Sequence, residues 1–323
     1  MDYVVFPSFR NQKIKKPVFI IAAPRSGTTF LFHALAQLNT RFTYFKLWEI
    51  IFAPSIIQKY FFLGLIRIDK LIGRPLSKFI LGIENILIGN LKKIHLIGLN
   101  LPEEDEAILI WDLSSIYLNF FYPDSHFFDD YMEFDAKLSL GRRNRIMRSY
   151  HNYLKRHQYV FNFNGEKQFL SKNPIMMCKL ESINNEFPSA MILNINRSPK
   201  YTIPSTIELN NTLYGLFSSR KSSDYLNQRT KDILIEWYKM SHETIHSKFK
   251  ERCLTIDFNN LVSLNTKELA SISDFLDIND SLHFIRKENS KEHISSNKYS
   301  PLSSEELEAV LRELPFLNKY NAS

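Results

Sequence analysis

The sequence predicts an α/β fold in three layers: a central, mostly parallel sheet flanked by helices, with a helical insertion. Residues 18–23 and 190–196 have the length and apolar composition of buried strands. Helical segments follow them, and strands alternating with helices are typical of a parallel sheet. The 323 residues suit a single domain, 1–323, with the insertion at about 50–165.

The other elements follow from local patterns. Weak alternation over residues 42–47 indicates a second strand, and Pro102 with the acidic residues after it is typical of a helix start. Residues 50–101 are rich in Ile, Leu and Phe but broken by Lys and Arg, which predicts amphipathic helices with basic faces. The remaining predicted elements are strands at 168–171 and 253–258, helices at 140–160, 176–186, 230–248 and 266–276, and a helix beginning near Pro204.

Composition limits the classes of ligand. The chain is 44% hydrophobic and 23% charged, so a globular core is expected. A net charge of +7 suits an anionic ligand or surface. The basic residues are scattered and not interleaved with aromatic residues, so no nucleic-acid partner is expected.

The location is expected to be cytoplasmic. Cys178 and Cys253 fit buried, reduced thiols better than a disulfide, and no Cys/His cluster predicts a metal site. Residues 1–16 contain no apolar signal segment, and no run of about 18 apolar residues occurs. The basic, apolar helices of the insertion leave two interpretations open: a cap folded over a binding site, or a peripheral contact with the inner membrane surface.

Residues 24–29, Pro-Arg-Ser-Gly-Thr-Thr, predict an anion-binding turn between a strand and a helix. The first N–H groups of a helix have no intrahelical partners and carry partial positive charge. Gly27 allows an oxyanion to approach closely, and Thr28 and Thr29 add hydroxyl donors. The turn lacks the G-x-x-x-x-G-K-[ST] pattern of nucleotide triphosphatases, which argues against ATP.

Three cations follow three predicted strands. Arg25, Lys172 and Arg197 all lie at or just past carboxyl ends, where open parallel sheets bind their ligands. Arg197 offers a planar fork for a phosphate, and Ser205, eight residues on, offers a hydroxyl. A ligand with several negative groups is therefore expected.

Together these motifs resemble the sulfotransferases that use 3′-phosphoadenosine 5′-phosphosulfate (PAPS), especially the bacterial and protein-tyrosine branches. The likeness spans about residues 17–300 in the family's order. The motifs are the 5′-phosphosulfate loop at 23–29, a Lys-x-Pro stretch at 172–174 with Phe-Pro-Ser-Ala at 187–190, the 3′-phosphate motif of Arg197 and Ser205, and a Lys/Tyr-containing closing loop at 296–300.

The resemblance implies a P-loop-like fold and a role for each matched residue. PAPS would be the co-substrate, with no metal required, because cations and loop amides supply the counter-charge. Arg25 would contact the 5′-phosphosulfate, and Lys172 would reach the transferring sulfuryl group or the leaving phosphate, so both would be catalytic. The residues that would bind the nucleotide are Arg25, Ser26, Gly27, Thr28, Thr29, Phe30, Arg197, Ser205 and Lys298.

The acceptor would be a hydroxyl group, or less often an amine, whose deprotonation needs a base. The resemblance nominates Glu49, because a Trp-Glu pair such as Trp48-Glu49 occurs at about this distance after the loop in bacterial relatives. A surface carboxylate and a histidine base are the alternatives, although Met176 occupies the position where some relatives have a histidine. Glu103, Glu104 and Glu106 resemble a family Pro-Glu-Glu stretch that either lines the acceptor entrance or starts a helix.

Two other functions stay open on the sequence alone. A nucleotide-dependent phosphotransferase would use the same loop, but the triphosphatase lysine is missing. A non-catalytic family member would bind nucleotide without turnover. The apolar insertion favours a bulky or lipid-like acceptor over a small polar one.

Overall fold

The structure is a computed structural model. It describes the backbone of residues 1–92, 97–278 and 299–320, and the side chains of these residues except those of 87–92. Five strands form one parallel sheet in the order β2-β3-β1-β4-β5. The strands are β1 (Val18–Ile21), β2 (Phe42–Thr43), β3 (Gln168–Lys172), β4 (Met191–Asn196) and β5 (Cys253–Asp257). The predicted α/β class is confirmed.

Helices cover both faces of the sheet. In chain order they are α1 (Asp2–Val5), α2 (Thr28–Ala36), α3 (Leu47–Phe52), α4 (Ile56–Leu71), α5 (Pro75–Lys92), α6 (Asp129–Met132), α7 (Phe134–Lys137), α8 (Leu140–Phe161), α9 (Leu180–Glu186), α10 (Pro199–Phe217), α11 (Asp224–Lys248), α12 (Phe258–Val262), α13 (Thr266–Phe275) and α14 (Ser304–Glu313). Short 3₁₀ helices lie at Pro7–Asn11, Asp105–Asp112, Ile116–Phe120, His126–Phe128, Pro174–Cys178 and Pro315–Tyr320. None of the helices in the described ranges has the length and apolar character needed to cross a membrane.

Alternation along β1 divides the core into two layers. Phe19 and Ile21 pack into one buried cluster, which includes residues of α8, α9 and α11. Val18 and Ile20 pack into the other, which includes residues of α2 and α13. Because successive side chains of a strand point to opposite faces, one four-residue strand joins both halves of a three-layer domain.

Several element boundaries differ from the sequence predictions. The second strand ends at Thr43, and Phe258 starts α12 instead of ending β5. The acidic stretch begins a 3₁₀ helix at Asp105, and residues 174–186 divide into a 3₁₀ helix and α9. Between β2 and β3, the described residues form helices, turns and one isolated bridge between Lys46 and Pro102.

Pro204 does not begin a helix, because α10 starts at Pro199 and Pro204 lies inside it. A proline has no N–H, so the carbonyl four residues earlier loses its intrahelical partner. That carbonyl belongs to Lys200, and it accepts a hydrogen bond of 3.1 Å from the Leu302 N–H. The gap in the helix thus provides an attachment point for the segment that precedes α14.

Candidate active site

The three cations singled out in the sequence meet at one edge of the sheet. β1 lies between β3 and β4, and all pairings are parallel, so the carboxyl ends of these neighbouring strands lie together. Arg25 follows β1, Lys172 ends β3, and Arg197 follows β4. The structure therefore brings together the loop, the lysine and the second arginine.

The loop at 24–29 has the backbone of an anion cradle. Gly27 has φ +79° and precedes α2, whose N-cap position has no side-chain hydrogen bond. A Cβ at Gly27 would come within 3.1 Å of the Phe258 ring, so a larger residue is disfavoured both by this close contact and by the positive φ. Arg25 also has a positive φ, +67°, which is uncommon for a residue with a side chain.

Contacts among the basic side chains connect the loop to α10. The Arg25 Nε donates to Ser205 Oγ at 3.1 Å, and the Arg197 Nη1 donates to the Arg25 carbonyl at 2.5 Å. Thr206 adds a longer bond, 3.5 Å, from its hydroxyl to the Pro24 carbonyl. The loop, β4 and α10 are thus fixed relative to one another by the residues predicted to bind phosphate.

Aromatic rings surround the Arg197 guanidinium. Its Cζ lies 4.2 Å from the centroid of Phe258 and 5.7 Å from that of Tyr201. Burial lowers the pKa of Arg197; the nearby Tyr299 opposes this, and Arg25 adds to it. The two rings and the Arg25 carbonyl orient the guanidinium, and its remaining N–H groups suit binding of a phosphate.

A cavity of about 710 Å³ opens at this edge. Its polar part includes the loop, Arg197 and Ser205, together with Glu103 and Glu104. The rest of the wall is mainly apolar and aromatic, and comes chiefly from α10, α11 and the 3₁₀ helix at Ile116–Phe120, with further residues from α3, α6, the 3₁₀ helix at Pro174–Cys178 and the segment after α5. Those residues include Leu47, Ile97, Ile116, Phe120, Met132, Ile175, Leu209, Leu213, Tyr214, Phe217, Ile233, Leu234 and Trp237.

Glu104 is a carboxylate in this wall that contacts both a buried lysine and a tyrosine hydroxyl. Its Oε1 lies 2.5 Å from the Lys172 Nζ, and its Oε2 accepts a hydrogen bond from the Tyr117 hydroxyl. The Lys172 side chain is 2% exposed, whereas that of Glu104 is 19% exposed. Burial, and then the charge of Glu104, raises the pKa of Tyr117, so the phenol stays a donor.

The neighbouring acids have different surroundings. Glu103 lines the cavity, and its N–H donates to the Phe45 carbonyl at 3.1 Å, which fixes the stretch against the end of β2. Glu106 is fully buried and lies 2.6 Å from the Lys179 Nζ. Asp105 accepts a hydrogen bond from Tyr150, and burial raises the pKa of Asp105 to about 7. Of the two interpretations of this stretch, Glu103 and Glu104 fit the cavity lining.

Glu49 lies in a separate buried cluster. Its Oε2 is 2.9 Å from the Lys59 Nζ and 2.8 Å from the His157 Nδ1, and its Oε1 accepts from the Lys46 N–H. Burial alone would raise the pKa of Glu49, but Lys59 and His157 outweigh it and lower that pKa to about 2. Neither Glu49 nor any histidine is among the described residues that line the cavity. The sequence therefore pointed to a carboxylate that the structure does not bring to the loop.

The other nominated residues divide into three groups. Arg25, Gly27, Thr28, Thr29, Phe30, Arg197 and Ser205 line the cavity. Ser26 and Lys172 are buried and are not among the described lining residues; the Ser26 hydroxyl has no hydrogen-bond partner among the described residues, and Lys172 pairs with Glu104. Lys298 lies outside the described residues, although the adjacent Tyr299 lines the cavity.

Sequence reasoning missed Tyr117 and Phe258. Phe258 follows directly after β5, so the rule that found the three cations would also have found it. Tyr117 reaches Glu104 from a different 3₁₀ helix, and no local pattern signals that contact. Within the described ranges, no group of three His, Cys, Asp or Glu side chains is arranged to hold a metal ion.

Comparisons with known proteins agree with this geometry. The sulfotransferase STF9 from Mycobacterium avium has 14% identity and a TM-score of 0.75, covering 99% of this chain and 81% of its own. STF1 from Mycobacterium tuberculosis has 14% identity and a TM-score of 0.73, covering 98% of this chain and 80% of its own. Both show the same P-loop-like fold, while no curated protein sequence matches significantly. A family model for sulfotransferases matches residues 17–281, and the chain therefore belongs to the sulfotransferase family.

Proposed function

We propose that the protein transfers the sulfuryl group of PAPS to a hydroxyl group, or an amine, on a bulky apolar acceptor. One observation carries the proposal: Glu104, paired with Lys172, lines the same cavity as the anion-binding loop and an extended apolar wall. An anion site, a carboxylate with a buried ammonium beside it, and an apolar chamber are the three parts that such a transfer requires.

The residues present fit PAPS. Gly27, Thr28 and Thr29 line the cavity at the start of α2, where hydroxyls and N–H groups that lack intrahelical partners suit an oxyanion. Arg25, with its backbone fixed by Arg197, suits the 5′-phosphosulfate, whereas the Arg197 fork and Ser205 suit the 3′-phosphate. When bound, PAPS supplies an activated sulfuryl group attached to a good phosphate leaving group.

In this proposal Glu104 is the base. The acceptor oxygen forms its bond to sulfur while the bond between sulfur and the 5′-phosphate oxygen breaks. The hydroxyl proton passes to Glu104, and the electron pair of the broken bond stays on the phosphate, giving 3′,5′-ADP. Lys172 is buried beside Glu104 and is not among the described lining residues, so its positive charge acts from behind that carboxylate on the departing phosphate, and Tyr117 holds the Glu104 carboxylate in place. Glu49 remains the alternative base that the resemblance nominated.

The acceptor is expected to be apolar over most of its surface. The polar residues farther from the loop satisfy one another: Asn119 donates to Tyr214 at 3.2 Å, and Asn210 donates to Thr230 at 3.3 Å. Arg229 is held by the Pro123 carbonyl at 2.9 Å and by Asp129. With these groups paired, burial of hydrocarbon against the remaining apolar wall is favourable, so a long-chain or polycyclic alcohol suits the cavity.

The test has two parts, binding and transfer. Calorimetry is expected to detect binding of 3′,5′-ADP in the presence of a metal chelator. Binding of ATP, measured separately with Mg²⁺, is expected to be much weaker. Incubation with ³⁵S-labelled PAPS and a panel of alcohols is then expected to label long-chain or polycyclic members in preference to small polar ones.

Three outcomes would contradict the proposal in different ways. Binding of ATP and Mg²⁺ in preference to 3′,5′-ADP would indicate a phosphotransferase. Binding of 3′,5′-ADP without labelling of any panel alcohol or of alcohols in an extract of the source cells would indicate a non-catalytic member. Labelling restricted to small polar alcohols would contradict the acceptor class alone.

A further inference from the structure

The hairpin of α4 and α5 exposes an unusually apolar surface. Between residues 66 and 86, ten large hydrophobic side chains are at least 37% exposed. They reach 86% at Leu71, 66% at Phe79 and 83% at Ile86. Soluble monomers rarely expose contiguous apolar surface on this scale, and such surfaces usually contact a partner or a membrane.

The exposed charges on the same hairpin all have one sign. Arg67, Lys70, Arg74 and Lys78 are exposed, whereas both acids of residues 66–86 are buried. Asp69 accepts hydrogen bonds from the N–H groups of Leu76 and Ser77, at 2.7 and 3.0 Å, and so closes the turn between the helices. The Asp69 carboxylate is therefore directed at the turn inside the hairpin and not at solvent.

Glu84 is sequestered in the same way. It is 9% exposed, and its Oε2 accepts a hydrogen bond from the Leu99 N–H at 3.3 Å. With both acids withdrawn, the hairpin presents hydrocarbon together with positive charge only. This combination is typical of helices that lie in the interface of an anionic bilayer.

The hairpin is anchored to the domain along α4. Lys59 of α4 forms the buried pair with Glu49, and α4 packs beside α8. No side chain described for α4 or α5 lines the cavity, so their apolar surface is not the lining of that cavity. The cap interpretation of this segment therefore does not account for its exposed residues.

We propose that the hairpin from residue 66 to 86 docks the protein on an anionic lipid bilayer. The exposed hydrophobic side chains enter the interfacial region, and the four cations contact the anionic headgroups. A second copy of the chain fits the surface less well, because two such faces would bring like charges together. This proposal does not depend on the activity proposed above.

Flotation of the full chain with vesicles tests the proposal. Binding is expected to vesicles in which about a third of the lipid is phosphatidylglycerol, to weaken as salt rises, and to be slight on pure phosphatidylcholine. Replacing three cations together (Arg67→Gln, Lys70→Gln, Lys78→Gln) is expected to weaken binding about 10²-fold, since each basic residue near such a surface contributes about 1 kcal/mol. The matched control replaces Lys13, Lys15 and Lys250, which are equally exposed elsewhere, and is expected to leave binding unchanged.

A second pair of variants tests the apolar part. Leu71→Ser with Phe79→Ser is expected to lower vesicle binding at least tenfold, because about 0.8 kcal/mol is lost per buried CH₂. The control, Leu113→Ser with Phe163→Ser, alters residues that are 69% and 62% exposed away from the hairpin. Equal losses in the two pairs, or no binding of the unmodified chain to anionic vesicles, would overturn the proposal. So would a dimer, seen by light scattering, that the Leu71→Ser, Phe79→Ser variant dissociates.

Discussion

Two glutamate–lysine pairs in this molecule have similar local chemistry and different surroundings. Glu49 and Lys59 are 2.9 Å apart, with side chains 2% and 0% exposed, and His157 completes the cluster. Glu104 and Lys172 are 2.5 Å apart, but the Glu104 side chain is 19% exposed and lines the cavity. The first pair joins α3, α4 and α8, whereas the second joins β3 to the cavity wall.

The difference shows which property separates a structural carboxylate from one that could act as a base. A closely paired lysine is common to both pairs, so pairing alone does not distinguish them. Access to the cavity does, because a base must reach the proton that it removes. The low pKa of Glu49, about 2, further reduces its basicity, since Lys59 and His157 hold it as the carboxylate.

The largest expected effect separates the two glutamates in catalysis. Glu104→Gln is expected to lower the rate of sulfuryl transfer from labelled PAPS by about 10²–10⁴-fold, because the proton acceptor is lost. Binding of 3′,5′-ADP, measured by calorimetry, should be kept. Glu49→Gln serves as the matched control, and its rate per folded molecule should stay near that of the unmodified protein. The reverse pattern would restore Glu49 as the base.

The next effect separates them in stability. Glu49→Gln leaves the Lys59 ammonium buried without its counter-charge, so the free energy of unfolding is expected to fall by about 3–5 kcal/mol. Denaturant titration measures the loss. Adding Lys59→Met removes the stranded charge and is expected to recover part of it. If the double variant recovers no free energy of unfolding, the loss comes from the contact of Glu49 with His157 and not from the contact with Lys59.

A smaller effect addresses the nucleotide end of the cavity. Arg197→Ala is expected to weaken 3′,5′-ADP binding by ~1.5–3 kcal/mol, the usual loss for a hydrogen bond to a charged group. Binding of 5′-AMP, which lacks the 3′-phosphate, should change much less in the same calorimeter. An equal loss for both nucleotides would place Arg197 at the 5′ end.

The last effect depends on pH and concerns the acid beside Glu104. Burial raises the pKa of Asp105 to about 7 in the folded protein, above its ordinary 3.8. Its contribution to stability is therefore full below about pH 4 and is lost as the pH rises toward 7. Asp105→Asn keeps an acceptor for Tyr150 but cannot ionise, so its stability relative to the unmodified chain should rise by on the order of 4 kcal/mol between those limits. A pH-independent difference would contradict the raised pKa.

The sequence predicted the sheet and the meeting of the cations at its edge because both depend on short-range pattern. The apolar runs of β1 and β4, and the cations at their ends, are local features that parallel topology then brings together. Whether a carboxylate reaches the cavity is not local. Glu104 meets a lysine 68 positions away, and Glu49 meets a histidine 108 positions away. Spacing by itself therefore favoured Glu49, whereas three-dimensional access favours Glu104.

Pro204 shows how a hydrogen bond missing from one helix can position a segment far along the chain. The hydrogen bond that it denies to α10 is made instead by Leu302, three residues beyond Tyr299, which borders the cavity near Arg197. An alanine at 204 would supply an N–H that competes for the Lys200 carbonyl. The proline thus leaves the Lys200 carbonyl as an acceptor for the carboxy-terminal segment. That hydrogen bond holds the segment, and Tyr299 within it, at the end of the cavity where Arg197 lies.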